Sequence, residues 1–210
     1  MSQNGRRAEL LDETYEVVCK STRCTEARRR TLEEVVQLAV EIAREGREGR
    51  KIGTLFVIGD VDNVLEQSRG LLLDPLYGHP SEALRVDQPE FRETVKEFAQ
   101  LDGAFIVADD GTFISAGRYI DVEVSAPDNF LPGLGTRHAA AASVSRMTGA
   151  VAVVVSQSSV VRVFAGGSIR AEIIPELFLM SREQLFTPDA EVRQMPAAGV
   201  TLAVTAPDEP

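Results

Sequence analysis

Thiol and imidazole metal ligands are scarce: the 210-residue chain has two cysteines and two histidines. Cys19 and Cys24 sit in a charged segment without the paired spacing of a zinc site, and two histidines supply few further ligands. A reduced, cytoplasmic compartment is therefore the expectation. No apolar run reaches the roughly 18 residues of a membrane span. The first turns of the chain mix Arg6, Arg7, Glu9, Asp12, Glu13 and Glu16 with apolar positions, unlike a cleaved secretory leader. No P-loop with its Gly-Lys-Ser/Thr ending is present, and no internal repeat or low-complexity tract appears. Positive charge is short too. A formal net charge of -10 excludes a generic nucleic-acid coat, which needs a basic face. It leaves room for one small anionic ligand held by a few arginines.

What is there has helical and strand periodicity. Between Ala8 and Glu48 the apolar positions Leu10, Leu11, Val17, Val18, Leu32, Val35, Val36, Leu38, Ala39, Ile42 and Ala43 recur at helical spacing, which predicts two helices broken near Ser21 to Thr25. Gly46 and Gly49 end the second, and "GTLFVIGD" from Gly53 to Asp60 reads as a buried strand. Asp62 to Asp87 has no clean period and is expected to be irregular. Pro89 opens a helix with Asp87 as its N-cap and Phe91, Val95, Phe98 and Ala99 as its apolar face. Phe105 to Val107 and Thr112 to Ala116 form a hairpin about the Asp110-Gly111 turn. A helix over the alanines from Ala139 to Ala142 then leads to the strand Ala150 to Ser156, a polar "QSS" turn and a further strand "VVRVFAGG". After Ile173 the pattern weakens, and the terminal "TAPDEP" reads as disordered. The prediction is an α/β domain with a central mixed sheet flanked by helices, preceded by a helical segment. We divide it into an N-terminal helical extension (1–30), a catalytic domain (31–182) and a partly disordered tail (183–210).

The chemistry concentrates in "GLGTRHAAA", Gly133 to Ala141. Capped at Gly135 or Thr136, this helix would place Arg137, His138 and free backbone N–H groups at one point, the outline of an anion site. The same residues also fit a solvated helix start with His138 half buried against the sheet, and Asp102 before Gly103 fits a plain turn at a strand entry.

Three segments carry a family resemblance: "DGA" (Asp102, Gly103, Ala104) opening a strand, "AGRYIDV" (Ala116 to Val122), and "GLGTRHAAA" followed by an apolar strand ending in Ser156. In this order they resemble the catalytic domain of the diadenylate cyclases, over roughly residues 32–167. The resemblance implies a soluble enzyme of the archaeal type that condenses two ATP molecules into cyclic di-AMP with release of two pyrophosphates. It further implies Mg²⁺ or Mn²⁺ as cofactor, and a homodimer whose protomers meet face to face, with neither membrane nor nucleic acid as partner. It assigns Asp102 to the ribose 3′-hydroxyl and the metal, and leaves room for the nucleotide beside Gly103 and Ala104. Gly135, Thr136, Arg137, His138, Ser156 and Ser158 go to the phosphates, with Arg137 and His138 also counted as catalytic.

Some positions depart from the family pattern. Ala139 stands where the family usually has a second arginine, Gln157 and Ser158 stand where many members have a pair of glutamates, and Leu101 replaces a histidine found in some. A different function class follows if these departures matter: a catalytically weakened domain that senses ATP or cyclic di-AMP.

Overall fold

The computed structural model describes residues 18, 25–71, 73–121, 134–175, 190–195 and 200–205. Cys19 and Cys24, and nearly all of the expected first helix, lie outside them. Val18 is described, and its side chain is buried in the main core.

Helix α1 (Glu26–Glu45) starts at Thr25, whose hydroxyl accepts the Arg28 N–H at 3.2 Å, and ends at Gly46, whose N–H returns to the Ile42 carbonyl at 3.0 Å. The stop at Gly46 matches expectation, and the cap at Thr25 falls at the end of the expected break near Ser21 to Thr25. The boundary drawn at residue 30 falls inside this helix. After it come β1 (Thr54–Ile58), α2 (Val61–Glu66), β2 (Ser68–Gly70), α3 (Pro89–Phe98), β3 (Ala104–Val107), β4 (Phe113–Ile120), α4 (Thr136–Met147), β5 (Val151–Val155), β6 (Val161–Ala165) and β7 (Ser168–Ile173). The segment expected to be irregular thus contains α2, β2 and a turn of 3₁₀ helix at Ser81–Ala83. α2 buries only Val64, too little to leave a periodic signal. Asp87 does not cap α3. Gln88 occupies the cap without a side-chain bond, while the Asp87 carboxylate pairs with Arg85 at 3.2 Å. Beyond the main sheet, β8 (Ala190–Met195) and β9 (Val200–Thr205) pair antiparallel within the expected tail.

The main sheet has seven strands in the order β2-β4-β3-β1-β5-β6-β7. It is mixed, as expected: β1 and β3 run parallel and the other neighbours antiparallel. Alternation along the strands divides the core in two. Phe56, Ile58, Val153 and Val163 face one way and join the buried faces of α1 and α3, while Leu55, Val57, Ala152, Val154 and Phe164 join α2 and α4. On the first side Phe56 stacks on its register partner Phe105 at 5.1 Å, and Phe113 meets Phe91 edge-on at 5.2 Å. Helices cover both faces, which is why β1 and β5 are buried throughout.

The register gathers particular chain ends. Leu55 lies beside Ala104 in the parallel pair, and Thr54 opposite Val155 in the antiparallel one. The starts of β1 and β3 and the end of β5 therefore share one edge of the sheet. The N-terminus of α4 lies over the same edge.

Candidate active site

Two adjoining clefts open at that edge. The first, of ≈ 440 Å³, is lined by Gly53, Leu134, Gly135, Thr136, Arg137, His138, Val155, Ser156, Gln157, Ser158 and Arg162. The second, of ≈ 380 Å³, is lined by Leu55, Leu71, Asp102, Gly103, Arg118, Tyr119, Ile120, Thr136, Arg137, Ala139 and Ala140. Thr136 and Arg137 border both.

The first cleft gathers hydrogen-bond donors and cationic groups. Gly135 caps α4 without a side chain, so nothing from the cap residue covers the N–H groups of the first turn. Arg137 projects from that turn, and two groups set its guanidinium. A β-carbon at Gly53 would stand 3.2 Å from Arg137 Nη1, so glycine there makes room for it. Its Nη2 lies 3.5 Å from Asp102 Oδ1. Across the cleft, the Ser156 and Ser158 hydroxyls share a 2.8 Å hydrogen bond, and the Ser158 N–H donates to Ser156 Oγ at 3.2 Å. Among the described residues, no carboxylate lines this cleft.

His138 is buried and held by β6. Arg162 Nη1 lies 3.2 Å from its Nε2, and arginine can only donate, so Nε2 accepts and the neutral ring carries its proton on Nδ1. Burial pushes the pKa below the ordinary 6.5, and the cations of Arg162 and Arg137 push it further, against an opposing pull from Glu172. His138 therefore contributes as a neutral ring rather than as a cation. The sign of the pH effect follows. As pH falls below about 6.5 the unfolded chain takes up a proton on this residue that the folded chain refuses, so acid destabilises the fold. Urea unfolding of wild type and His138→Gln across pH 5 to 8 (roughly the range in which histidine titrates) will show a steeper acid loss in wild type. Parallel acid limbs would contradict the assignment.

The second cleft is mostly apolar, with Leu55, Leu71, Ile120, Ala139 and Ala140 against Tyr119. Asp102 stands at its junction with the first cleft, its side chain 80% exposed, accepting the Gly103 N–H on Oδ1 at 3.0 Å. Gly103 and Ala104, both expected to leave room for a ligand, stand differently in the fold. Gly103 lines the cleft but has φ +101, and a β-carbon there would come within 2.7 Å of the Gly117 carbonyl carbon and 2.8 Å of the Arg118 nitrogen. The glycine makes room for β4, where the β3–β4 register shifts. Ala104 is buried in the core beneath α4. Gly103→Ala will cost about 2–4 kcal/mol in denaturant unfolding, from strained backbone and overpacking combined, and a loss under about 1 kcal/mol would show that β4 yields at that point.

The structure thus brings Asp102, Gly103, Gly135, Thr136, Arg137, His138, Ser156 and Ser158 to one edge, with Ala104 beneath it. Sequence reasoning missed Gly53, Arg118, Tyr119 and Arg162. Arg162 had a signal: it is the lone charge inside the apolar strand β6. Arg118 and Tyr119 stand in the "AGRYIDV" segment without a role assigned to them, and the Arg118 guanidinium turns inward to the Leu65 and Ser68 carbonyls at 3.1 and 2.9 Å.

Residues 41–169 match the family model described as DAC, DisA bacterial checkpoint controller nucleotide-binding. The chain belongs to the DAC family. It is 47% identical over 151 residues to the diadenylate cyclase of Methanocaldococcus jannaschii, covering 71% of this chain and 47% of that protein. To the diadenylate cyclase of Haloferax volcanii it is 37% identical over 149 residues, covering 70% and 54%. The chain spans about half the length of these curated relatives. A solved structure of a hypothetical membrane spanning protein from Bacillus cereus matches with a TM-score of 0.50 at 18% identity, over 66% of this chain and 61% of that one, which speaks to the fold alone. Among the described residues, no helix is long and apolar enough to cross a membrane. Both clefts are lined within or next to the segment matched by the DAC model, since Gly53, Asp102, the start of α4 and Arg162 all fall inside it.

Proposed function

We propose that this chain is a cytoplasmic diadenylate cyclase with its catalytic domain over 31–182, joining two ATP molecules into cyclic di-AMP. The observation that carries the reading is the pairing of a carboxylate-free cleft containing two arginines with an apolar cleft, with Asp102 at their junction. A triphosphate suits the first and a nucleoside the second. The α-phosphate then falls where the clefts meet, beside Arg137 and Asp102.

The reaction needs an alcohol activated and a charged phosphorus centre stabilised. The 3′-hydroxyl oxygen of one ATP bonds to the α-phosphorus of the other as the bond to the β-phosphate bridging oxygen breaks. Pyrophosphate leaves with that electron pair. Repeating the step between the same two nucleotides closes the ring. Asp102 orients the hydroxyl and takes its proton, which its exposed, unburied carboxylate is free to pass to water. Arg137 neutralises charge on the α-phosphoryl oxygens, its planar fork matching two oxygens at once. Thr136, the first N–H groups of α4, Ser156 and Ser158 hold the remaining phosphates.

The residues fit a divalent cation shared with the nucleotide. Among the described residues no group of three His, Cys, Asp or Glu side chains could enclose one, so Asp102 and the phosphates would hold Mg²⁺ or Mn²⁺ together, as is usual for cations bound with phosphate. When bound, that cation withdraws charge from the phosphates and makes the hydroxyl more acidic.

Because each nucleotide must present its hydroxyl to the other's phosphorus, two protomers face one another, one ATP on each. α-Labelled ATP incubated with Mn²⁺ over a range of protein concentrations will yield cyclic di-AMP, with specific activity rising with protein. ATP bound at every concentration but never converted would favour the sensor reading, for which the missing acids at Gln157 and Ser158 argue.

A further inference from the structure

We infer that Arg162 supplies the second guanidinium of the phosphate cleft, taking over from the donor that Ala139 lacks, and that Glu172 and His138 are the groups that position it. This deepens the reading of that cleft as a triphosphate site and rests on it. Ala139 lines the apolar cleft and carries no donor. The cleft's cationic side is instead completed from β6, a strand on which the family motifs place nothing.

The sheet register explains how. Arg162 lies opposite Val154 on β5 and Glu172 on β7, on the face covered by α4. Its neighbours Val161 and Val163 point to the other core. Strand alternation therefore aims one buried-strand arginine upward beneath the first turn of α4. There its Nε donates to Glu172 Oε1 at 2.6 Å and its Nη1 to His138 Nε2 at 3.2 Å. Of the five N–H groups of a guanidinium, three remain, and no acceptor for them is found among the described residues.

An ordinary cross-strand ion pair does not account for this arrangement. Glu172 alone would satisfy a surface arginine, and its carboxylate is itself half exposed. The Arg162 side chain is instead only 15% exposed and shares a cleft with Arg137, in which no described residue supplies a carboxylate. Two guanidinium groups in one partly dehydrated cleft repel unless an anion lies between them. The His138 hydrogen bond has a further consequence. By occupying Nε2, Arg162 holds the ring as a neutral Nδ1–H donor rather than leaving the tautomer free.

Calorimetry with inorganic tripolyphosphate, ATP and adenosine separates the possibilities, using wild type, Arg162→Gln, Arg162→Lys and Glu172→Gln. Removing a charge-assisted hydrogen bond will weaken tripolyphosphate and ATP binding by about tenfold or more in Arg162→Gln, while adenosine binding stays unchanged. Arg162→Lys will recover part of the loss. Glu172→Gln, which keeps the guanidinium but loosens its anchor, will fall between wild type and Arg162→Gln and serves as the test if Arg162→Gln does not fold. Nitrogen chemical shifts of His138 will report an unprotonated Nε2 in wild type and a mixed tautomer in Arg162→Gln, a change that mere loss of stability does not produce. Wild type binding tripolyphosphate and ATP, with Arg162→Gln or its stand-in unchanged, overturns the role of Arg162 alone. Wild type binding neither ligand overturns the phosphate reading of the whole cleft. An equal loss for adenosine and ATP overturns the specific phosphate role in favour of a structural one.

Discussion

Asp102→Asn will abolish most cyclic di-AMP formation, by about 10²–10⁴-fold, the range that a positioned acid–base group supplies. The amide keeps the shape of the side chain and can still accept the Gly103 N–H, so the turn into β3 survives. What disappears is the negative charge, and with it the proton acceptor and the anionic donor to the cation. ATP affinity will stay within about threefold of wild type, since Asp102 lies at the junction of the clefts while the groups proposed to hold the phosphates come from α4, β5 and β6. Asp102→Asn chains mixed with wild type will also depress activity beyond simple dilution, because a mixed pair has only one competent hydroxyl-activating group. A variant retaining near wild-type synthesis would remove Asp102 from the chemistry.

Arg137→Ala will damage both binding and turnover. The side chain borders both clefts and pairs with Asp102 at 3.5 Å, so in the proposed site it reaches both the phosphates and the group that handles the hydroxyl. Without its charge-assisted hydrogen bonds in this partly enclosed site, ATP binding weakens by about tenfold to a hundredfold. Turnover at saturating ATP falls further, because the fork that neutralises the phosphorus centre acts most strongly in the transition state. Arg137→Lys will restore more of the affinity than of the rate, since an ammonium supplies charge without the two-pronged geometry. Equal recovery of both, measured by calorimetry and steady-state kinetics, would show that only charge matters. Full ATP affinity in Arg137→Ala would return the residue to a solvated helix start.

The hairpin at Asp110-Gly111 was legible because its cause is local. Gly111 adopts φ +89, and Ala108 N–H meets the Thr112 carbonyl at 2.8 Å, as the Asp-Gly pair demands. Helix α1 was legible for the same reason, through Thr25, Gly46 and a periodic apolar face. Strand order was not. That β1 lies between β3 and β5 depends on a crossover through α2 and α3, which no local pattern encodes. The site divides along the same line. Asp102, Arg137 and His138 stand in short motifs, so a linear scan finds them. Gly53 and Arg162 reach the site only through β1–β5 and β5–β6 register, and their roles appear once those strands are paired. Gly103 shows the converse: its place in a motif was plain, yet the close approach that demands glycine is with β4, a strand whose shifted register the motif does not reveal.

Whether two separate ATP molecules are joined to each other is the central question, and an isotope experiment addresses it directly. Equal amounts of ordinary ATP and ATP carrying a heavy-isotope adenine are incubated with the chain and Mn²⁺, and the products are weighed by mass spectrometry. Joining of two nucleotides predicts cyclic di-AMP in light, mixed and heavy forms, the mixed form being the most abundant, with pyrophosphate released and all three forms lost together in Asp102→Asn. Products found only in light and heavy forms, or bound ATP recovered without any dinucleotide, would contradict it.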